Sequence, residues 1–505
     1  MVVTNIKFFL EKDNVIKNTH PLRHRFSAKT RIIANNDLDN NINLSSAATC
    51  FRTSLLKNKG ILFSEKVKPN FEDGKLIADY LLESYDSTTL FLRDAIYLYR
   101  KREDNSSTLD SSWCKPEKYN DVFKYGFLEI LNSYINDIGF IPKNIQKTIL
   151  YDLVWYIQYL MNKPEKLHFL SDNEKEGFYS IYREVFSYID DEVIMEFKFA
   201  GAWFFHKVGI LGAFKNVPPP FQIIYIEKVD KVKNQILLSF FTHLDVVVSY
   251  SLNGKDTIPV YTKEVINTMN EGLFVKENIA WISFNDDSDC LTVLVNDKQA
   301  RISLKGQFFN NGVTVDSVLK AFHPSHKYQT DDVWLLMDRE TKADDNAEHF
   351  YRYLRDNHPE QHCVFALNKD SNDWSRLEIE GFNLIEFGSI EFEKQLQRSP
   401  TIISSHLEDH INDYFSDNYE FSKNFVFLQH GVIKHSLSAW INTEKNINTF
   451  IATTYGEYDA LTRTDNYRLT KKEVVLTGLP RHDILLSNKN SFSEIFLNKV
   501  LLKLK

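Results

Sequence analysis

The chain has 505 residues, which is too long for a single hydrophobic core, and its 43% hydrophobic and 25% charged side chains form an ordinary globular composition. A formal net charge of -8 argues against a nucleic-acid-binding protein, because polyanion binding needs a basic surface. The sequence has no signal-peptide pattern and no run of about 18 to 20 apolar residues, so it predicts a soluble or peripheral protein facing the cytoplasm.

The first two regions differ in their periodicity. Residues 1–118 combine short predicted strands, loops rich in Asn and Ser, and a predicted helix near residues 74–84. Residues 119–215 are predicted to be mostly helical, because apolar side chains recur there at helical spacing. The run Pro218-Pro219-Pro220 ends this region, since proline lacks the N–H group and fixes φ.

Residues 221–320 are predicted to be β-structure. Six segments rich in β-branched and aromatic residues alternate with turn signals such as Asn253-Gly254. Closely spaced strands without intervening helices favour an antiparallel sandwich.

The pattern changes from Asp331 onward, where short apolar segments alternate with helical ones. This alternation is typical of βαβ units and predicts a parallel sheet. Ligands of such sheets bind at the carboxyl ends of the strands, so polar residues that follow strands are the candidate site residues. The sequence contains neither GxGxxG nor GxxxxGK[ST], which leaves dinucleotide-binding and P-loop proteins without their main motif.

The segment 429–436 (QHGVIKHS) directly follows a predicted strand. His430 at a strand end is suited to accept a proton near neutral pH, and Gly431 permits close approach of a ligand. Lys434 is suited to hold a phosphate as a point charge. The alternative is a histidine that is merely hydrogen-bonded in a loop beside a turn glycine.

The segment 477–483 (TGLPRHD) also follows an apolar strand. Arg481 is a candidate for binding phosphate oxygens with its planar fork of donors, and Asp483 for orienting a neighbour or capping the next helix. The alternative is an ordinary β–α loop stabilised by a salt bridge.

Two further pairs of residues are candidates for chemistry. His406 and His410 lie four residues apart, but the segment does not match a zinc-protease motif, so no metal site is predicted and His406 is expected to border the cleft. Glu72 and Asp73 begin the predicted helix of the first region, either as a general base for a sugar hydroxyl or simply to complement the helix dipole.

Several of these motifs are similar to those of a known protein family. Residues from Val333 to about Ser487, including LQHGVIKHSLSAWIN and TGLPRHDIL, resemble the CDP-glycerol glycerophosphotransferase family of teichoic acid and capsule polymerases. The resemblance implies a GT-B fold, with two Rossmann-like halves and the active site between them. It implies that His430 is the candidate base beside the acceptor, and that Lys434, Arg481 and Asp483 match neighbouring motif positions. No cofactor is implied for this part.

The N-terminal region resembles the back portion of a family 2, GT-A-type glycosyltransferase, in segments such as KPNFEDGKLIADYLL. The resemblance implies that one carboxylate of the pair Glu72-Asp73 acts as base beside the acceptor. A divalent metal is expected only for a complete domain of this family. The front of that domain and the second GT-B half are both expected to be missing from the chain.

Together these inferences predict an α/β protein with an all-β spacer. The expected domains are a partial GT-A remnant (1–118), a helical segment (119–220), an antiparallel β-sandwich (221–328) and one Rossmann-like half of a GT-B fold (329–505).

The implied function is transfer of a polyol phosphate from CDP-glycerol, or another CDP-polyol, to a polymer or lipid-linked acceptor, with release of CMP. Weak or no activity is expected of this chain by itself. A complementing second polypeptide is therefore among the candidate partners. The alternatives are a non-catalytic remnant or partner-binding subunit and a family 2 glycosyltransferase. The protein is expected in the cytoplasm or at the inner face of the cell membrane.

Overall fold

The computed structural model describes most of the chain in two compact units. The described residues are 1–102, 111–270, 272–322, 331–407, 423–433, 435–442, 447–463 and 466–487. The first unit comprises residues 1–222, 241–246 and 266–276, and the second comprises 223–240, 247–265 and 277–505.

The sheet of the first unit is mixed. Its strands are β1 (Val2–Leu10), β2 (Val15–Lys17), β3 (Arg31–Ala34), β4 (Thr49–Cys50) and β5 (Thr88–Lys101). They lie in the order β2-β1-β5-β3, with β4 on β1, and only β1 and β5 run parallel. The expectation of short strands was wrong for β5, whose 14 residues are rich in the Thr, Ile, Leu and Tyr side chains that suit extended backbone.

The first unit also contains helices, which dominate residues 119–215 as predicted. The α-helices are Thr53–Lys59, Glu72–Glu83, Glu117–Asp121, Glu129–Ile138, Lys143–Leu160, Asp172–Ser187, Asp191–Glu196 and Phe204–Lys215, and a π-helical turn spans Val122–Leu128. Their apolar faces meet in an aromatic core in which Phe123, Tyr156 and Tyr182 are fully buried. Among the described residues, no helix is long and apolar enough to cross a lipid bilayer.

The β-rich region spans residues 223–314 in two sheets. Its strands are β6 (Ile223–Asp230), β7 (Gln235–Thr242), β8 (Val248–Leu252), β9 (Lys255–Thr257), β10 (Tyr261–Met269), β11 (Gly272–Ser283), β12 (Cys290–Val295), β13 (Lys298–Gln299), β14 (Arg301–Leu304), β15 (Gln307–Phe309) and β16 (Val313–Thr314). One sheet has the order β10-β11-β7-β6-β14-β15, and the other has β13-β12-β8-β9 with β16 on β12.

The expectation of a purely antiparallel region was wrong at one pair, since β6 and β14 run parallel. After the hairpin of β12 and β13, the chain leaves one sheet at Ala300 and joins the other beside β6. The change of sheet sets the direction of β14, which the apolar pattern of a single strand does not encode. The helix Val315–Ala321 follows this region.

The remainder of the second unit is a seven-stranded sheet, and all six neighbouring pairs are parallel, as predicted. Its strands are β17 (Trp334–Met337), β18 (Cys363–Leu367), β19 (Leu384–Glu386), β20 (Thr401–Ser404), β21 (Asn424–Phe427), β22 (Thr449–Ala452) and β23 (Val474–Leu476). The helices between and after them are Asn346–Asn357, Trp374–Ile379, Ile390–Arg398, Ser438–Ile441, Tyr455–Thr462 and His482–Ser487.

Both faces of this sheet are covered. Leu335 and Ile402 belong to one hydrophobic cluster, whereas their neighbours Leu336 and Ile403 belong to a second. Continuously apolar strands are the sequence counterpart of this double burial. The strand order β19-β18-β17-β20-β21-β22-β23 reverses direction between β17 and β20, which makes this point the topological switch where open α/β sheets bind ligands.

Within the second unit, the β-rich region contacts the parallel sheet through polar side chains. Lys263 is 8% exposed and donates to the carbonyls of Leu461 and Leu469 at 2.6 and 2.9 Å. Trp281 Nε1 donates to the Glu473 carboxylate at 2.9 Å. The predicted domain boundary between residues 328 and 329 stays a prediction. Residues on both sides of it, including those in these contacts, belong to one compact unit.

Candidate functional site

The candidate site lies at the switch point. Asp338 directly follows β17, and Ser405 directly follows β20. The Asp338 carboxylate accepts hydrogen bonds from Ser405 Oγ at 2.5 Å, from the amide of Ala347 at 2.9 Å and from the amide of Asp345 at 3.0 Å. One buried carboxylate thus joins the two central strands to the N-terminus of the helix Asn346–Asn357, where amide donors lack partners within the helix.

Burial has the largest influence on the pKa of the Asp338 carboxyl group. Asp338 is 1% exposed, and its desolvation raises its pKa to about 6, against the opposing effect of the hydrogen bonds from Ser405 and Ala347. The neighbouring Asp345 carboxylate acts in the same direction as burial. Asp338 therefore changes charge close to the pH at which histidines do.

Asp345 and Asn346 connect three loops at the strand ends. Asn346 Nδ2 donates to the carbonyl of Gln429 at 2.6 Å, and its Oδ1 accepts from the amide of Arg481 at 3.2 Å. Asp345 Oδ1 lies 3.0 Å from Arg481 Nη1. Arg481 Nη2 donates to the carbonyl of His430 at 2.5 Å. The segments around His430 and Arg481, predicted separately from two motifs, therefore meet at one edge of the sheet.

His406 and His430 form a stacked pair. Their ring centroids are 4.9 Å apart and their planes differ by 10°. The two residues differ in exposure, since His406 is 4% exposed and His430 is exposed. Arg339 Nε donates to His406 Nε2 at 3.3 Å, and His406 Nε2 also lies 3.5 Å from Asp345 Oδ2. The expectation that His406 borders the cleft stays a prediction.

The surroundings of His430 favour a neutral imidazole. Desolvation is the first cause that lowers its pKa, followed by His406, and Arg339 and Arg481 act in the same direction, while Asp345 opposes them. A neutral imidazole on the exposed side of the stack can accept a proton from a hydroxyl group.

The backbone before His430 is held in an uncommon conformation. Gln429 has φ of +53°, in the left-handed region, and is 3% exposed. Its Nε2 donates to the Glu457 carboxylate at 3.0 Å, and the same carboxylate accepts from the amide of Ile433 at 2.9 Å. Thr453 supplies two more donors to Glu457, each at 2.7 Å. Over-determined strain of this kind is found at functional sites.

The other predicted site residues are placed as follows. A Cβ atom built on Gly431 would meet Arg481 Nη2 at 3.8 Å, an ordinary contact, so the strained position of this segment is Gln429 and not the glycine. Asp483 is exposed in the first turn of the helix His482–Ser487. Lys434 and His410 lie outside the described residues. No group of three or more metal-ligating side chains occurs in the part of the chain that the structure describes.

The predicted carboxylate pair of the first unit has two distinct environments. Asp73 accepts hydrogen bonds from the Ser46 hydroxyl and, at 3.1 Å, from the Ser46 amide. Glu72 is exposed in the first turn of the helix Glu72–Glu83, and desolvation raises its pKa, with Asp73 adding to the effect. This pair and the His430 site belong to different units, and each is described by itself.

Sequence reasoning missed several residues that organise the site. Asp338 follows an apolar strand in the same way as His430, so the search for polar residues after strands contained the signal that would have found it. Gln429 opens the segment 429–436 and follows a strand, so the same signal was present for it. Glu457 had no such signal, because its importance depends on contacts across β21 and β22. The further residues missed were Arg339, Asp345, Asn346 and Ser405.

Comparison with known proteins agrees with the motifs. Residues 318–498 match the family described as CDP-Glycerol:Poly(glycerophosphate) glycerophosphotransferase. The minor teichoic acid biosynthesis protein GgaB of Bacillus subtilis (strain 168) is 24% identical over an alignment of 573 residues in length. The alignment covers 92% of this chain and 62% of GgaB. GgaA of the same organism, also described as a minor teichoic acid biosynthesis protein, is 24% identical over 177 residues, covering 35% of this chain and 39% of GgaA.

Among solved structures, that of the wall teichoic acid polymerase TagF is similar over 34% of this chain and 43% of TagF, with 11% identity and a TM-score of 0.24. A score this low adds nothing to the inference. The chain spans about 62% of the length of GgaB. Residues 318–498 are thus similar to CDP-glycerol:poly(glycerophosphate) glycerophosphotransferases, and most of the chain is similar to GgaB.

Proposed function

We propose that the second unit transfers glycerol phosphate, or a related polyol phosphate, from a CDP-activated donor to a hydroxyl group of a growing polymer. The acceptor oxygen attacks the phosphorus that bears the polyol, the bond from that phosphorus to the bridging oxygen breaks, and CMP leaves. The acceptor proton passes to the imidazole of His430. In-line displacement of this kind depends mainly on positioning and on charge neutralisation.

The stacked pair of His406 and His430 is the observation that carries the proposal. One imidazole is buried, and the other is exposed at the carboxyl end of a parallel sheet with its pKa lowered by desolvation. The matching family acts on a CDP-linked donor, as its description states. An unprotonated imidazole beside a hydroxyl acceptor is what general-base catalysis requires.

The remaining residues have supporting roles in this proposal. Arg481 and Asp345 hold the His430 segment through the contacts described above. Gly431 and Lys434 follow His430 in the chain, and Lys434 would bind a phosphate oxygen of the donor. Asp483 would line the same loop. The proposal includes no cofactor for this step, since cationic side chains would balance the phosphate charge.

The acceptor in this proposal is a polyol-phosphate polymer or its lipid-linked primer. A primer in the cell membrane would bring the protein to the inner face as a peripheral protein. The organisms and processes named for the relatives, in particular teichoic acid biosynthesis by GgaB and GgaA, support this choice of acceptor class.

The test is CMP release from CDP-glycerol in the presence of a glycerol-phosphate oligomer. His430→Ala should lower the rate by about 10²- to 10⁴-fold, the usual contribution of a general base. His358→Ala is the matched control, because His358 is an exposed histidine that follows the C-terminal end of the helix Asn346–Asn357. Weak turnover is expected of the unchanged protein by itself, and equal rates for the His430→Ala and His358→Ala variants would refute the proposal.

A second candidate activity, glycosyl transfer by the first unit, is favoured by one observation. The pKa of Glu72 is raised by desolvation and by its neighbour Asp73, which suits a carboxylate that takes up a proton. Glu72→Gln should then abolish transfer from a nucleotide sugar and leave CMP release unchanged. A variant that retains sugar transfer would remove this candidate.

A further inference from the structure

The first unit contains a cavity of about 810 Å³ with a basic lining. Lys7, Arg23, Arg93 and Lys198 line it, and Asp94 is the acidic residue beside them. None of these four cations has an ion-pair partner among the described residues. Unpaired cations around one cavity attract an anion, and the effect is strongest in a concave site.

A buried polar group of the same cavity lacks a partner. Asn5 is 7% exposed, and its Oδ1 has no hydrogen-bond partner in the described part of the chain. A buried acceptor without a donor is costly, and such groups in native proteins need an explanation. A ligand hydroxyl group would supply the missing donor, whereas an anion without an O–H group, such as sulfate, would not.

The strand beside Asn5 is interrupted at the cavity. β1 and β5 pair in register as far as Thr4 and Leu92, and the next pair is Asn5 with Ile96. The three intervening residues, Arg93 to Ala95, are therefore looped out of the ladder, and two of them line the cavity. Bulges of this kind re-aim side chains and are over-represented next to functional sites.

An aromatic pair adds a flat wall. The rings of His24 and Phe199 stack with centroids 4.9 Å apart and planes 17° apart. Desolvation lowers the pKa of His24, so its ring is neutral at physiological pH and adds surface without charge. Carbon atoms of a polyol or sugar can pack against such a wall.

We propose that this cavity is a binding site for a phosphate ester of a polyol or sugar. The phosphate lies among Lys7, Arg23, Arg93 and Lys198, and a hydroxyl group of the ligand donates to Asn5 Oδ1. The site lies in the first unit and does not depend on the transferase activity proposed for the second. The same chemistry is offered by a soluble polyol-phosphate chain and by the headgroup of phosphatidylglycerol.

Calorimetric titration of the full chain with glycerol 3-phosphate and with sulfate, a tetrahedral oxyanion without an O–H group, tests the proposal. Glycerol 3-phosphate should bind more tightly, and Asn5→Ala should remove the difference. Arg93→Ala and Lys198→Ala, two changes at exposed positions, should each weaken binding about tenfold, as expected for loss of a charge-assisted hydrogen bond. Arg183→Ala, a change at an exposed arginine of the helix Asp172–Ser187 outside the cavity, is the control and should have no effect.

Two further arms distinguish the sources of the ligand. A soluble glycerol-phosphate oligomer that binds in an Arg93-dependent manner identifies a polymer chain, whereas Arg93-dependent binding to phosphatidylglycerol vesicles but not to phosphatidylserine vesicles identifies the headgroup. The proposal is overturned if Arg93→Ala and Arg183→Ala bind glycerol 3-phosphate equally, or if sulfate binds as tightly as glycerol 3-phosphate to the unchanged protein.

Discussion

Arg481, which follows the last strand of the parallel sheet, forms an ion pair with Asp345, the residue before the first helix of that sheet, with 3.0 Å between Nη1 and Oδ1. The two residues are 136 positions apart. The same guanidinium group reaches the carbonyl of His430, so one side chain ties three strand-end loops together. Arg481 thereby acts on the geometry of His430, in addition to any contact with a ligand.

Replacement of Arg481 should loosen this junction. Arg481→Ala is expected to lower the free energy of unfolding by about 1–2 kcal/mol, the lower part of the range for hydrogen bonds to charged groups, because the side chain is 35% exposed. Arg463→Ala is the matched control, since its ion pair with Asp459 is 69% exposed on the arginine side. Urea denaturation measures both, and equal changes would contradict the role assigned to Arg481.

Replacement of Glu457 should destabilise the protein more than replacement of an exposed acidic residue on the same helix. It is 5% exposed and accepts hydrogen bonds from Gln429, Ile433 and Thr453, so Glu457→Ala leaves buried donors without partners. The expected loss of stability is about 2–4 kcal/mol. Asp459→Ala on the same helix should cost under about 0.5 kcal/mol, because its side chain is 45% exposed. A similar loss in both variants would show that Glu457 does not hold the loop.

The raised pKa of Asp338 predicts that the stability of the folded protein depends on pH. Its pKa is raised to about 6 in the folded protein, so between the ordinary value of about 3.9 and about 6 the folded state binds a proton that the unfolded state has released. The contribution of this group to stability is therefore fully present below the unfolded value and is lost as pH rises through about 6.

Comparison of the unchanged protein with Asp338→Asn isolates this effect. The stability difference between them should move in favour of the variant as pH rises over that window, because asparagine has no proton to lose. Thermal unfolding at a series of pH values measures the difference. A difference that stays constant, or that moves in favour of the unchanged protein, contradicts the raised pKa.

The β-rich region is expected to stabilise the parallel sheet. Trp281→Phe removes the donor to Glu473, a carboxylate that is 9% exposed, and should cost about 1–3 kcal/mol. Because Trp281 and Glu473 belong to one compact unit, the variant should lower the free energy of unfolding of the C-terminal half of β11 and of β23 together. Hydrogen exchange measured separately for β11 and β23 tests this, and loss of protection in β11 alone would contradict it.

The sequence was sufficient to predict the parallel sheet, because its strands are short apolar runs separated by helical segments, as in Trp334–Met337 and Thr401–Ser404. It also indicated His430 and Arg481, since both follow such strands, and the structure brings the two residues into contact, while their roles stay predictions. The stack of His406 on His430 was not predictable, because it depends on the order of β20 and β21 in the sheet. The parallel pairing of β6 and β14 escaped prediction for the same reason.

The pH dependence of CMP release from CDP-glycerol tests the central claim most directly, namely that His430 accepts the proton of the acceptor. Because desolvation and His406 lower the pKa of His430, kcat/KM should stay high as pH falls to the ordinary histidine value of about 6.5 and should decline only below it. His430→Ala should remove this limb together with most of the rate. A profile that declines at or above about 6.5, or that keeps its acidic limb in His430→Ala, would contradict the claim.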